Sequence, residues 1–490
     1  MTEVVASAPG KVLMTGGYLI LEKPNSGIVL STDARFYAIV KPLYDEIIPE
    51  SWSWSWTDLK LKSPQLSRET MYKLSLKNLS LQCLSSSETR NPYVEQAVQY
   101  AVAAARAKAS EESRNALNEV LLQGLDVTIL GDNAFYSYRN QMESRGLPLQ
   151  PDSLATLPKF TSITFNSDGS NELNCKPEVA KTGLGSSAAM TTAVVAALLQ
   201  YFKAINLSPQ SDKNDANDLD LVHIIAQTAH CIAQGKVGSG FDVSSAVYGT
   251  HKYVRFSPEV ISPALAHHPT SKIEECVLCI LNGNWDNERV QFKLPPLMSL
   301  VLGEPGSGGS STPSMVGAVN KWRKEEPEKY LETWGKLAEG NAELETQFGF
   351  LNSLAEGEWE TYRSVVKNCS LLAHKKWIEE ASDPKRELVV KALMDARIAM
   401  VKIRTHMRYM GESAGVPIEP KSQTQLLDET METEGVLLAG IPGAGGFDAI
   451  FAILISDATS KLNEKWVSLK VLPLIVKEDP RGACLEVSKP

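Results

Sequence analysis

The sequence predicts a two-domain protein of the α/β (α+β) class, because strand and helix signals are mixed along the whole chain. Strand-like segments lie at residues 4–7, 12–15, 35–40 and 124–130. A chain of 490 residues exceeds what one hydrophobic core usually holds, so two domains are expected. We place them at residues 1–260 and 261–490, since Pro258 and Pro263 flank a short segment there.

The helices of the first half are predicted from composition and spacing. Residues 92–108 are rich in alanine and start with a proline, which the first turn of a helix tolerates. Residues 221–234 repeat apolar side chains at helical spacing, and Gly235 follows in the usual C-terminal position. Residues 190–199, rich in alanine and valine, indicate a further helix.

The second half begins with an apolar run at residues 276–281, which predicts a buried strand. Helical patterns follow at residues 315–324, 327–348, 358–369 and 385–411. Residues 435–455 are apolar apart from Asp448, yet Pro442 and several glycines would break a membrane-spanning helix. A strand, a glycine loop and a buried strand at Ile450–Ile455 fit this stretch better.

Charge and cysteine content exclude several classes of protein. The net charge is −9 at pH 7 and no basic stripe is evident, which argues against a nucleic-acid partner. Cys276 and Cys279 have the spacing of a metal-binding or redox pair, but the sequence has no second pair, so we expect them to be structural. This cysteine content fits a reducing compartment. The chain opens on a strand-like segment rather than a charged-then-apolar leader. We therefore expect a cytoplasmic protein, with a peroxisomal location left open because an ending other than Ser-Lys-Leu does not exclude import.

The most informative segment runs from Ala180 to Ala189 and reads AKTGLGSSAA. Gly183 and Gly185 permit positive φ angles and a close approach of the backbone to a ligand. The free N–H groups at the start of the following helix, together with its dipole, favour an anion, and phosphate is the usual one. The alternative is a glycine-bent loop before a core helix, with the serines acting only as helix caps.

Two further segments accompany this one. SAPGK at residues 7–11, followed by Gly16-Gly17-Tyr18, opens the chain, and IPGAGGFDA at residues 441–449 lies near its end. In this order the three segments resemble those of the GHMP kinases, which phosphorylate small molecules. Residues 229–242, AHCIAQGKVGSGFD, are similar to the catalytic segment of the eukaryotic, plant-like phosphomevalonate kinases within that family.

The resemblance implies an N-terminal α/β domain, a ferredoxin-like C-terminal domain and an active site between them. It implies ATP and Mg²⁺ as cofactors and phosphomevalonate as the phosphoryl acceptor. It assigns catalysis to Lys11 and Asp242 and metal coordination to Ser187. The implied ATP-binding residues are Lys181, Gly183, Leu184, Gly185, Ser186, Ser187 and Ala188. The implied substrate-binding residues are Tyr18, Lys236, Ser239, Gly240, Gly443, Ala444, Gly445 and Gly446.

Three assignments have open alternatives. Lys11, by default, would face solvent. Asp242, by default, would cap the helix that follows it. If Asp242 is catalytic, we expect it to orient the acceptor and Lys11 more than to remove a proton. The reason is that a phosphomonoester, with a second pKa near ~6, is already largely anionic at neutral pH. Mevalonate kinases carry a glutamate metal ligand where this chain has His230, which we expect to be packed or to cap its helix rather than to bind metal.

Arginines supply a further candidate site. Arg397, Arg404 and Arg408 share one face of the predicted helix at residues 385–411. This face is either solvated, or Arg404 and Arg408 bind the acceptor phosphate, since an acidic protein needs local cations and arginine grips phosphate bidentately. The Gly- and Ser-rich residues 303–312 are either a linker or a lid over the phosphates.

The leading functional prediction is an ATP-dependent kinase acting on phosphomevalonate in isoprenoid and sterol synthesis. Mevalonate kinase and diphosphomevalonate decarboxylase are alternatives within the family, and Tyr18 with the GSGFD string argues against both. A binding protein without turnover is an alternative of another class, but Lys11, Ser187 and Asp242 are all present. The expected partners are small molecules, with no nucleic acid and no membrane, in a monomer or homodimer.

Overall fold

The computed structural model describes residues 3–46, 55–85, 90–163, 181–210, 213–266, 273–306, 312–447 and 449–490. Within these ranges the chain forms two β-sheets with helices packed on them. Its strands are β1 (Val4–Leu13), β2 (Ser26–Pro42), β3 (Trp56–Ser63), β4 (Arg68–Ser75), β5 (Leu81–Cys83), β6 (Leu125–Gly131), β7 (His251–Val254), β8 (Glu288–Gln291), β9 (Met298–Glu304), β10 (Val436–Gly440), β11 (Ile450–Ile455), β12 (Leu472–Pro473) and β13 (Cys484–Leu485). Its α-helices are α1 (Pro92–Lys108), α2 (Glu111–Leu122), α3 (Arg139–Ser144), α4 (Pro151–Ala155), α5 (Ser186–Tyr201), α6 (Ala216–Gln234), α7 (Phe241–Tyr248), α8 (Ser262–Leu265), α9 (Ile273–Leu281), α10 (Thr312–Glu325), α11 (Pro327–Gly357), α12 (Trp359–Cys369), α13 (Pro384–Ala414), α14 (Lys421–Met431) and α15 (Thr459–Ser468).

The first sheet is mixed and holds nine strands in the part of the chain that the structure describes. Its order is β13-β1-β2-β6-β3-β4-β5, with β7 paired to β2 and β8 paired to β7. β3 and β6 run parallel, whereas β1 and β2 are antiparallel. The register of β1 on β2 shifts between Pro9 and Lys11. Such an irregularity re-aims a side chain, and here it interrupts the ladder beside Lys11.

Helices α1, α5 and α6 pack on one another, and α5 lies against β1 and β2. The buried face of α5 consists largely of small side chains, such as Ala193 and Ala197, so the helix approaches the sheet closely. This packing fixes the N-terminus of α5 near β1. The positions of the first two glycine-containing segments relative to each other therefore follow from the core of the first sheet.

The second sheet is antiparallel, in the order β10-β11-β9-β12. Two helices of 31 residues each, α11 and α13, pack along each other, and α13 also lies against β10. The strand β10 leads directly into the third glycine-rich segment, and β11 leaves it. That segment is therefore a loop between two buried neighbouring strands.

The predicted α/β class is confirmed, and α1 has the predicted bounds of residues 92–108. The strand predicted at residues 276–281 is wrong, because these residues belong to helix α9. Its buried residues are Ile273, Cys276, Val277 and Ile280, which is helical spacing hidden within a continuous apolar run. Among the described residues, no helix combines the length and the apolar character needed to cross a membrane.

Sheet membership does not follow the expected division at residue 260. The strand β8 pairs with β7, α9 packs on α1, and β13 pairs with β1. Arg35 secures this returning C-terminal strand, because its guanidinium donates to Gly482 O at 2.6 Å and to Ser7 Oγ at 2.7 Å. We therefore propose that the first domain runs to Gln291 and also includes the C-terminal tail.

The central residues of the linker or lid predicted at residues 303–312 lie outside the described residues.

Candidate active site

The glycine-rich segment before α5 forms a cradle at the N-terminus of that helix. Gly183 and Gly185 have φ angles of 78° and 75°, and α5 begins at Ser186. The backbone N–H groups of residues 186–188 have no protein acceptor within the described residues. Free N–H groups at a helix N-terminus attract anions, so the local geometry predicted from the sequence is present.

Lys11 joins the first strand to this cradle. Its backbone N–H donates to Leu184 O at 2.9 Å, and its Nζ donates to Gly183 O, also at 2.9 Å. Burial lowers the pKa of Lys11, and the negative charge of Asp242 opposes that shift. The ammonium is therefore held at the cradle and electrostatically coupled to a carboxylate on another element.

Asp242 lies in the first turn of α7, which follows Gly240 in the left-handed conformation. Its Oδ1 accepts a hydrogen bond from the N–H of Val243 at 3.0 Å. The side chain also lines the same cleft as Lys11. The N-cap of α7 is Gly240, so the alternative prediction that Asp242 caps the helix is wrong. Lys11 and Asp242 line one cleft, which brings a cation and a carboxylate to the same space.

His230 contacts the cradle, which the sequence did not lead us to expect. Its Nε2 lies 3.0 Å from Ser187 Oγ and 3.3 Å from Gln234 Nε2, and its ring packs on Tyr93 with a centroid distance of 5.3 Å. Burial lowers the pKa of His230, although Asp242 acts in the opposite direction. An amide nitrogen can only donate, so Nε2 of a neutral His230 is the acceptor in this network. The Ser187 hydroxyl can then donate to His230. Its oxygen, which also forms a hydrogen bond with the Tyr93 side chain, keeps a lone pair for a ligand.

The third glycine-rich segment closes the cleft from the side of the second sheet. Tyr18 Oη donates to Ala444 O at 3.0 Å, and the N–H of Gly443 donates to Leu13 O at 3.3 Å. The N–H of Gly446 instead donates to Ile418 O at 2.9 Å. The segment that begins at Gly16 therefore links the two sheets directly at the site.

The three segments meet around one cleft of about 470 Å³. The predicted site residues that line it are Lys11, Tyr18, Lys181, Gly183, Leu184, Gly185, Ser186, Ser187, Lys236, Ser239, Gly240, Asp242, Gly443, Ala444 and Gly445. The predicted residues Ala188, Gly446, Arg404 and Arg408 are not in this lining. A second cavity of about 300 Å³ shares Lys181, Ser186 and Ser187 with the cleft. The cradle therefore borders both spaces.

Arg404 and Arg408 bind protein carboxylates. Arg404 Nη2 lies 2.8 Å from Glu419 Oε1 and 2.8 Å from Asp428 Oδ1, and Arg408 Nη1 lies 3.2 Å from the same Glu419 oxygen. Arg404 and Glu419 are both buried. These contacts do not support a direct role in holding the acceptor phosphate, which stays a prediction, and they also differ from a solvated basic face.

The chain is similar to known proteins over nearly its whole length. Residues 164–250 match the family model described as the GHMP kinases N-terminal domain. The chain is 63% identical over 489 residues to a phosphomevalonate kinase of Arabidopsis thaliana described as peroxisomal, covering 99% of this chain and 97% of that protein. It is 32% identical over 485 residues to a phosphomevalonate kinase of Aspergillus fumigatus, covering 92% of this chain and 87% of that one.

A solved structure shares the fold. It is the Streptococcus pneumoniae phosphomevalonate kinase in complex with phosphomevalonate and AMPPNP, which matches with a TM-score of 0.52 and 14% identity over 98% of this chain and 100% of that chain. At this identity the match shows the fold alone. The two proteins therefore share a fold over nearly the whole of both chains.

Proposed function

Because the chain belongs to the phosphomevalonate kinase family, we propose that it transfers the γ-phosphoryl group of ATP to (R)-5-phosphomevalonate. The products are (R)-5-diphosphomevalonate and ADP. The observation that carries the proposal is 63% identity across nearly the full length of a phosphomevalonate kinase. The meeting of Lys11, the cradle and Asp242 in one cleft supports it independently.

The two cavities suggest how the substrates are arranged. The second cavity is lined partly by aromatic and apolar side chains, including Phe36, Tyr136 and Met190, which suits a nucleotide base. The phosphates of ATP would then lie on the cradle, and the acceptor would enter the larger cleft. Lys11, Lys181 and Lys236 supply positive charge in that cleft, against the net charge of −9 of the whole chain. The acceptor phosphate and the γ-phosphoryl group would meet beside Lys11.

In the reaction, an oxygen of the acceptor phosphate forms a bond to Pγ while the bond from Pγ to the β-phosphate oxygen breaks and ADP leaves. No proton has to be removed from an acceptor that is already ionised. The work of this chain is therefore positioning and charge stabilisation. Lys11 stabilises negative charge on the transferred group, and Asp242 orients Lys11 and the acceptor.

Mg²⁺ fits the oxygen atoms at the cradle. Ser187 is its proposed ligand, together with ATP phosphates and water, because Mg²⁺ prefers oxygen ligands and usually takes few of them from the protein. Within the described residues no group of three or more His, Cys, Asp or Glu side chains is arranged to hold a metal. When bound, the ion would neutralise charge on the β- and γ-phosphates. His230 would orient the Ser187 hydroxyl by accepting its hydrogen bond.

Substitution of His230 by leucine tests that orientation. We expect the dissociation constant of AMPPNP measured by calorimetry with Mg²⁺ to rise about three- to tenfold, as expected for one lost hydrogen bond. Without Mg²⁺ the change should be smaller. His223→Leu is the control, since His223 is a buried residue of the same helix that does not line the cleft. Equal effects of the two substitutions on Mg²⁺-dependent binding would contradict the role of His230.

Substrate choice tests the proposed function itself. We expect ADP release, followed in a coupled assay, to require Mg²⁺ and to be fastest with phosphomevalonate. Mevalonate lacks the acceptor phosphate that the lysines of the cleft would meet, and diphosphomevalonate already carries the product group. Faster turnover of mevalonate would identify a mevalonate kinase instead. Saturable binding of phosphomevalonate without ADP release would favour a binding protein.

The location of the protein is a separate question. The peroxisomal description of the Arabidopsis relative supports a peroxisomal location over the cytoplasmic one.

A further inference from the structure

Side chains that do not line the cleft bind the backbone carbonyl groups of the segment between α6 and α7. Arg255 Nη2 donates to the carbonyl oxygen of Gly238 at 2.7 Å and to that of Val237 at 3.4 Å. Tyr253 Oη donates to the carbonyl oxygen of Ser239 at 3.1 Å. Residues 237–239 line the cleft, whereas Arg255 and Tyr253 are absent from its lining in the described part of the chain. Three successive carbonyl groups are thus turned away from the cleft by two side chains.

This arrangement determines which end of each peptide faces the acceptor. A peptide unit is planar and trans, so its N–H points opposite to its C=O. The N–H groups of Ser239 and Gly240 are therefore directed away from Arg255 and Tyr253, and neither meets a protein acceptor within the described residues. If the carbonyl groups turned back, their negative ends would face a substrate that carries a phosphate and a carboxylate. In a low-dielectric cleft that repulsion would weaken acceptor binding.

The same guanidinium also binds the other wall of the cleft. Arg255 Nη1 donates to Leu21 O at 2.7 Å. Leu21 ends the short 3-10 helix Leu19–Leu21, which directly follows Tyr18. One side chain therefore fixes the spacing between the loop that precedes Asp242 and the segment that carries Tyr18.

We infer that Arg255 is a positioning residue for the phosphoryl acceptor, acting through the backbone of residues 237–239 and through Leu21. The inference rests on the proposed function, because it requires an anionic acceptor in this cleft. In the proposed arrangement the nucleotide base would lie in the second cavity, which residues 237–239 do not line. Loss of Arg255 should thus separate the two substrates, which a general loss of stability does not do.

The experiment compares Arg255→Gln with a matched arginine. Arg397 also donates to three carbonyl oxygens, those of Met431, Val436 and Leu437, and does not line the cleft. We expect Arg255→Gln to raise KM for phosphomevalonate about tenfold or more, since hydrogen bonds from a charged donor are lost, and to leave KM for ATP within about twofold. Arg397→Gln should lower the melting temperature and leave both KM values unchanged. Arg255→Lys should restore part of the loss, because an ammonium can still bind one carbonyl group.

Tyr253→Phe keeps the test decisive if Arg255→Gln does not fold, because it removes only the hydroxyl that binds Ser239 O. It should raise KM for phosphomevalonate about twofold to fivefold, as for one neutral hydrogen bond. Suppose that the wild type turns over phosphomevalonate normally. The role of Arg255 would then be overturned if the folded variants showed an unchanged KM for phosphomevalonate, or equal changes in KM for both substrates. Wild-type protein that does not turn over phosphomevalonate would overturn the proposed function, and this inference with it.

Discussion

Replacing Asp242 with asparagine lowers kcat by roughly 10²–10⁴, the range typical of a positioned acid–base group, and leaves nucleotide affinity nearly unchanged. Asparagine keeps the size of the side chain, and its Oδ1 can still accept from the N–H of Val243, so the substitution removes mainly the charge. That charge is the one that opposes the effect of burial on the pKa of Lys11. Without it, Lys11 loses a nearby negative charge, and the acceptor loses a group that orients it. Steady-state kinetics and calorimetry with AMPPNP measure the two quantities separately.

Asp215→Asn is the matched control for the loss of a negative charge at the start of a helix. Asp215 caps α6, where its Oδ1 accepts from the N–H of Asn217 at 2.8 Å, and it is exposed and absent from the cleft lining. It should leave kcat unchanged. If Asp242 orients rather than removes a proton, the loss in Asp242→Asn should lie at the low end of the range and depend weakly on pH between about 7 and 9. A kcat near that of wild type would remove Asp242 from the catalytic site.

The parts of the site that follow from short segments were predictable from the sequence. The cradle is encoded within about ten residues, because positive φ at glycine and the start of a helix are local properties. The family resemblance then connected Lys11 with Asp242 across 231 positions of sequence, which no local pattern could do. Both bounds of the alanine-rich helix α1 and the C-terminal end of α6 were predictable. The start of α6 was not, because the helix begins at Ala216 and the prediction placed its start at residue 221.

Contacts between distant elements were not predictable. His230 and Ser187 are 43 positions apart, and their contact depends on the packing of α6 against α5. The helical period of Arg404 and Arg408 was visible, but their partner Glu419 lies beyond the turn after α13, so the sequence did not show that these charges are already satisfied. The carbonyl groups bound by Arg255 carry no sequence signal, because any residue has a carbonyl group.

The helix α9 was wrongly predicted as a strand, and the pairing of β13 with β1 was not predicted at all. The reasons differ from those above. An apolar run of six residues fits a buried strand and a buried helix equally well, and only burial of the residues around it decides between them. The strand β13 has two residues, Cys484 and Leu485. Its place beside β1 depends on the buried guanidinium of Arg35, which lies more than four hundred positions earlier in the chain.

Replacing Gly185 with valine abolishes nucleotide binding. Residue 185 has φ of 75°, where β-branched side chains are strongly disfavoured, and a Cβ there would lie 3.0 Å from Lys11 Cε. The substitution therefore strains the turn, pushes Lys11 out of place and covers the N–H groups that would hold phosphate. Calorimetry with AMPPNP should give no measurable heat of binding at concentrations that saturate the wild type.

Gly415→Val separates the two causes of that loss. Gly415 ends α13 with φ of 68°, yet a Cβ there would meet nothing within 4 Å, and the residue is absent from the cleft lining. It should lower the melting temperature through backbone strain of about 1–3 kcal/mol and bind AMPPNP as the wild type does. If both variants are folded and both bind AMPPNP, the segment before α5 is not the phosphate site. Loss of binding in Gly185→Val alone, with a comparable melting temperature, attributes the effect to the blocked cradle and the displaced Lys11 rather than to instability.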